Sequence, residues 1–145
     1  MNILVSACLL GLNTRFDGGS KIIHGIEELK KKYNLIPVCP EVLGGLPTPR
    51  EPAEIIGDRV INKAGKDVSQ NFIKGAEETL FLAKLFNCKY ALLKERSPSC
   101  GFGQVYDGSF TGKLTHGNGI TAELLRQNGI IIFGESEIDK LLKRP

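Results

Sequence analysis

The stretch "SQNFIKGAEETLFLAKLFNCKYALLKERSPSC" (residues 69–100) changes its hydrophobic period once, and that change decides the fold. Over its first half Phe72, Ile73, Ala76, Leu80 and Ala83 recur at the three- and four-residue spacing of one helix face. Ser69 stands where an N-cap belongs. "KYALLK" (89–94) then reads as a short buried strand, and a polar loop follows in which Pro98 separates two serines and Cys100 precedes a glycine. An amphipathic helix feeding a buried strand is the repeating step of an α/β fold.

The same step recurs on either side. "NILVSA" (2–7), "NLIPVC" (34–39) and "IIIF" (130–133) read as further strands, with Pro37 pointing to an edge strand or a strand end. Helices are expected from about Lys21 to Tyr33, over "ITAELLRQ" (120–127) with Asn128-Gly129 closing it, and over "SEIDKLLKR" (136–144) with Ser136 as cap. "EIIGDRVIN" (54–62) reads as a hairpin turning at Gly57-Asp58. "PEVLGGLPTPREPAE" (40–54) reads as a long, stiff loop, and "YDGSFTGKLTHGNG" (106–119) as a turn-rich connection. The expected fold is α/β: a Rossmann-like three-layer sandwich with a mostly parallel sheet and a small β-hairpin excursion, in one domain spanning 1–145.

With 41% hydrophobic and 24% charged residues, the composition is that of a globular domain. No apolar stretch is long enough to span a bilayer. "MNILVSACLLG" (1–11) has no basic segment before its apolar run and reads as a strand rather than a secretory leader, so a cytoplasmic location is expected. The net charge of +3 does not call for a nucleic-acid polymer. The lysines at 30–32 follow Glu27 and Glu28 at helical spacing, which makes them a solvated helix face, and no aromatic residues alternate with basic ones as a base-stacking surface requires.

Cysteines stand at 8, 39, 88 and 100, and no two are spaced as Cys-x-x-Cys. In a parallel sheet, ligands bind beyond the carboxyl ends of the strands. Cys8, Cys39 and Cys100 each follow a strand and belong to that edge. Cys88 precedes its strand and falls on the opposite edge, as a small apolar residue at a helix end. Three convergent thiols have three readings: separate core residues, a zinc ion with an open position, or an iron–sulfur cluster with one iron left for an outside ligand. Glu41 beside Cys39, and Ser97 and Ser99 before Cys100, favour a reactive site. His24 and His116 stand alone and read as structural.

At these residues a resemblance becomes specific. "ACLLG…RFDG" (7–18), "CPEVLGGLPTPREPAE" (39–54), "LKERSPSCG" (93–101) and "YDGSFTGKLTHGNGITAELL" (106–125) resemble, in order over nearly the whole chain, the thiouracil desulfidase family in its short form. Phe16 stands where that family is expected to carry Tyr. The resemblance implies a [4Fe–4S] cluster on Cys8, Cys39 and Cys100 with one open iron, and removal of sulfur from 2-thiouracil or a related thiolated pyrimidine to give uracil and hydrogen sulfide without net electron transfer. It places the catalytic carboxylate on Glu41 and the catalytic serine on Ser97, with Ser99 the second candidate. Arg15, Asp17 and Ser99 are candidate substrate-binding residues. Arg15 is expected to balance cluster charge or pair with Glu51 or Glu54, Asp17 reads first as a turn former and only second as a substrate contact, and Arg50 reads as a structural anchor. The alternatives are a three-cysteine zinc hydrolase or deaminase, which lacks its Cys-x-x-Cys step here, and a non-catalytic iron–sulfur sensor or carrier.

Overall fold

A computed structural model describes residues 1–145. In chain order the strands are β1 (Asn2–Ser6), β2 (Asn34–Val38), β3 (Ala53–Ile56), β4 (Arg59–Asn62), β5 (Tyr90–Leu93), β6 (Gln104–Tyr106), β7 (Leu114–His116) and β8 (Ile131–Gly134). The α-helices are α1 (Ile26–Lys32), α2 (Pro40–Leu43), α3 (Ser69–Leu85), α4 (Ile120–Gln127) and α5 (Ile138–Leu142). Short 3-10 turns cover Ala7–Leu10 and Glu135–Glu137.

Four parallel strands form the sheet in the order β2-β1-β5-β8. Strand alternation divides the core in two. Leu4, Ala91, Leu93 and Ile132 pack on one face with Ala83, Ala122 and Leu125 of α3 and α4. Ile3, Val5, Leu92 and Phe133 pack on the other with Leu29 of α1 and Leu141 of α5. This is the expected three-layer sandwich, and Pro37 lies on an edge strand, where its missing N–H costs no ladder bond. Cys88 is buried among Ala83, Ala91 and Ile130, at the amino end of β5.

Local signals explain most boundaries. Along α3, Phe72, Ala76, Thr79 and Ala83 make the buried stripe, and Asn87 in the left-handed region (φ 53°) ends the helix while the Cys88 N–H reaches back to the Ala83 carbonyl. Acidic residues open α1 and lysines close it, as the helix dipole favours.

Five expectations change. The first helix starts at Ile26, after Gly25 at φ 93°, rather than at Lys21. Residues 40–54 are not all loop, because Pro40 starts the short helix α2. Ser69 does not cap α3: its Oγ accepts the Val60 N–H, and its own N–H is taken by Asp67. Ser136 likewise gives way to Glu137, whose carboxylate accepts the Gly134 N–H. Residues 104–116 form a second antiparallel hairpin, β6–β7, beside the expected β3–β4 one.

Candidate active site

The chain leaves β1 toward β2 on one side and later returns to β5 on the other, so the sheet has a switch point at β1. Beyond the carboxyl ends of these three strands lies a cavity of ≈ 540 Å³. Cys8, on the 3-10 turn after β1, Cys39, between β2 and α2, and Cys100, on the loop after β5, all line it, as do Glu41 and Ser97. None of the four cysteines is in a disulfide.

The loop that carries Cys100 is fixed by its own backbone chemistry. Ser97 Oγ accepts the N–H groups of Ser99 (3.1 Å) and Cys100 (3.0 Å), closing a tight turn around the cysteine. The N–H groups that open α4 bind this turn from behind: Ile120 donates to the Pro98 carbonyl, and Thr121 and Ala122 to that of Ser99. Only glycine fits at 119, since a Cβ there would lie 2.4 Å from the Ser99 carbonyl carbon and oxygen. The N–H groups of Ser99, Cys100, Gly101 and Gly103 are all committed to protein acceptors, so they do not stand ready to tune a bound group.

Burial pushes the Cys100 thiol well above its ordinary range; a hydrogen bond from Ser6 opposes this, and the neighbouring Cys39 and Glu41 add to it. Burial also raises the Cys8 thiol, helped by Cys39 and opposed by Lys94 and Arg15. Raised in this way, the buried Cys8 and Cys100 thiols are held neutral, and deprotonating them is favoured by a cation such as a soft metal. No three His, Cys, Asp or Glu side chains converge tightly enough for a single metal ion, which withdraws support from the zinc site. Three thiols that line one cavity without converging on a single point are a donor set of the kind a larger metal–sulfide body such as a [4Fe–4S] cluster takes.

Glu41, in the first turn of α2, pairs with Arg50: Nε lies 3.2 Å from Oε1, and the two side chains are 6% (Arg50) and 17% (Glu41) exposed. Burial raises the Glu41 carboxyl above the usual range, and the Arg50 guanidinium pulls it back. Lys94, just past β5, also lines the cavity and pairs with Glu135 at 2.9 Å.

The three candidate substrate-binding residues separate. Arg15 lines the cavity but pairs with Asp17 at 3.4 Å, not with Glu51 or Glu54. Asp17 is a turn former: it accepts the Gly19 N–H at 2.9 Å and is not on the cavity wall. Ser99 is fully buried, shares a 2.8 Å hydrogen bond with Thr121 and is not on the cavity wall.

Other wall residues carry no sequence signal of their own. Tyr106 and Phe110 come from the unexpected hairpin, whose tip is held by the buried Glu54 carboxylate accepting the N–H groups of Gly108 (2.9 Å) and Phe110 (3.1 Å). Thr14 lines the cavity too, and its hydroxyl is the one buried side-chain polar atom without a hydrogen-bond partner.

Comparison with known proteins bears on the family and the fold. A family model described as 2-thiouracil desulfurase matches residues 3–137. YbbK of Bacillus subtilis (strain 168), an uncharacterized protein, is 41% identical over 150 residues, which cover 97% of this chain and 99% of its own. The solved structure of TudS, a [4Fe–4S]-dependent thiouracil desulfidase, is 46% identical and superposes with a TM-score of 0.92 over 97% of this chain and 94% of its own.

Proposed function

The chain belongs to the 2-thiouracil desulfurase family, and on that premise we propose that it is a [4Fe–4S]-dependent desulfidase that removes sulfur from 2-thiouracil or a related thiolated pyrimidine without net electron transfer. The observation that carries this reading is the meeting of Cys8, Cys39 and Cys100, from three separate connections, on one cavity that also holds Glu41 and Ser97. Cys8, Cys39 and Cys100 would hold the cluster. When bound through only three thiolates, such a cluster leaves one iron to polarise a soft thiocarbonyl sulfur.

The protein's own groups supply the rest. In the overall reaction a water oxygen bonds to the thiocarbonyl carbon, the carbon–sulfur bond breaks with its electron pair, and both water protons end on the departing sulfide. Glu41 takes the first of these protons; it stands two residues after Cys39 and lines the same cavity. Ser97 Oγ already accepts two backbone N–H groups, so its own proton is free to donate toward the pyrimidine or the water. Tyr106 and Phe110 give a flat-sided ring an aromatic wall.

The cavity volume lies within the range usual for small-molecule sites, about 300–1,000 Å³. Lys21, Lys63 and Arg96 line its walls with no carboxylate partner in the fold, so substrates that carry an anionic group beyond the ring would find countercharge there. The test is sulfide release by anaerobically reconstituted protein, given 2-thiouracil and thiolated uridine monophosphate in parallel. Sulfide and uracil-type product in equal amounts are expected, and Glu41→Ala abolishes turnover with iron retained. A loaded protein that releases no sulfide from any thiolated pyrimidine would be a sensor or carrier instead.

A further inference from the structure

Building on the desulfidase reading, we propose that Arg50 is a positioning residue: it fixes one oxygen of Glu41 so that the other faces the reacting water. A guanidinium offers five N–H donors in a rigid fork. In Arg50 four hydrogen bonds use them: Nε to Glu41 Oε1 (3.2 Å), one terminal nitrogen to the Pro47 carbonyl (3.2 Å) and Thr48 Oγ1 (3.1 Å), and the other to the Thr14 carbonyl (2.9 Å). The Arg50 backbone N–H adds a bond to the Phe16 carbonyl at 2.7 Å.

These partners lie on three segments: the connection after Cys8, the helix after Cys39, and the proline-rich turn that carries Arg50 itself. With so many donors committed to protein, Arg50 has no fork left for a substrate carboxylate or phosphate. Its action is therefore through Glu41. Glu41 Oε2 makes no hydrogen bond to protein and is not among the buried unpartnered atoms, so it is the oxygen open to the cavity. One oxygen pinned and one free is the arrangement a general base needs, because a freely rotating carboxylate spends most of its time misaligned.

Reconstituted Arg50→Met, Arg50→Lys, Glu41→Gln and the Arg50→Met/Glu41→Gln double variant separate positioning from scaffolding. Arg50→Met is expected to lower kcat by up to about 100-fold, the cost of a misplacement near 1 Å, while KM and iron per chain stay at wild-type levels. Arg50→Lys, which keeps the charge but not the fork, recovers only part of the rate. Added guanidinium restores part of the Arg50→Met rate. On the Glu41→Gln background the Arg50 change adds nothing measurable, since the group it aims is gone. An equal loss on both backgrounds, or loss of iron from both Arg50 variants, overturns the proposal. A crystal structure of Arg50→Met gives a reading independent of substrate: a displaced Glu41 carboxylate supports the proposal, and an unmoved one overturns it. If the wild-type protein releases no sulfide, the desulfidase reading fails, yet that structure still decides whether Arg50 sets the position of Glu41.

Discussion

Thr14 shows how much at this site depends on one atom. Its carbonyl accepts from Arg50, while its hydroxyl is buried and unpartnered. An unsatisfied buried hydroxyl costs about 1–3 kcal/mol, and such a cost persists where the group serves a bound ligand. Thr14→Val removes the hydroxyl and nearly keeps the shape. Thermal unfolding of cluster-free protein is expected to shift up by about 3 °C, the equivalent of about 1 kcal/mol in a domain of this size, while kcat/KM for the loaded enzyme falls. A variant that loses stability without losing activity would show the hydroxyl to be bonded within the fold. At this scale sequence reading reaches only some of the site. Cys8, Cys39 and Cys100 could be placed because each follows a strand, and the edge of a parallel sheet is a fixed address. Ser97 and Ser99 stand one residue either side of Pro98, and only the folded turn shows that Ser97 faces the cavity while Ser99 turns to Thr121. Arg50 reads as an anchor and does tie Pro47, Thr48 and Thr14 together, but its pairing with Glu41 runs through a loop whose path no local pattern dictates.

Among the elements, α2 is held in place by glycine. A Cβ at Gly75 of α3 would lie 1.9 Å from the Pro40 carbonyl oxygen, and one at Gly44, just past α2, would lie 2.0 Å from that of Asn71. The two backbones touch, and α2 carries Glu41 directly behind Cys39. Gly75→Ala must push α2 outward at a cost of about 1–3 kcal/mol, and the reconstituted protein is expected to bind less iron as well as to melt earlier. Gly65→Ala is the control: it also strains the chain, because Gly65 sits at φ 86°, but an added Cβ there meets nothing within 4 Å. It loses a comparable about 1–2 kcal/mol with iron content unchanged. Equal iron loss in both variants would refute the link between the α2–α3 contact and the site. Legibility follows length and exposure. The long helix α3 announced itself by period, the buried strands by short apolar runs and the β3–β4 hairpin by its Gly57-Asp58 turn. The four residues of α2 sit among glycines and prolines, and β7 is exposed along its whole length, so neither offers a period to read.

Across the whole molecule the parallel sheet gathers the cysteine-bearing loops, while polar links behind them keep the loops in register, and one such link is open to acid. Glu123 in α4 accepts from Arg126, Asn118 and Gln127, with the Arg126 Nε and terminal nitrogen at 2.9 and 2.8 Å and Asn118 at 2.9 Å. These hydrogen bonds, Arg126 first and Asn118 next, hold the Glu123 carboxyl down at about 2. The other side of the Asn118 amide accepts the Gly103 N–H at 2.8 Å, on the loop that carries Cys100. A depressed carboxyl stabilises the fold fully above its unfolded value and loses that contribution as pH falls through its folded one. Glu137, Asp67 and Asp107 are also held low by hydrogen bonds and shift stability in the same direction. Denaturant midpoints followed by circular dichroism are therefore expected to hold from neutral pH to about 4.5 and to fall from there toward 2. Glu123→Gln keeps a weaker set of hydrogen bonds and cannot titrate, so it starts less stable at neutral pH and loses less on acidification. Faster exchange of the Gly103 amide in that variant would trace the loss to the Cys100 loop; an unchanged Gly103 amide, or an acid profile parallel to that of the wild type, would show that Glu123 does not support the loop.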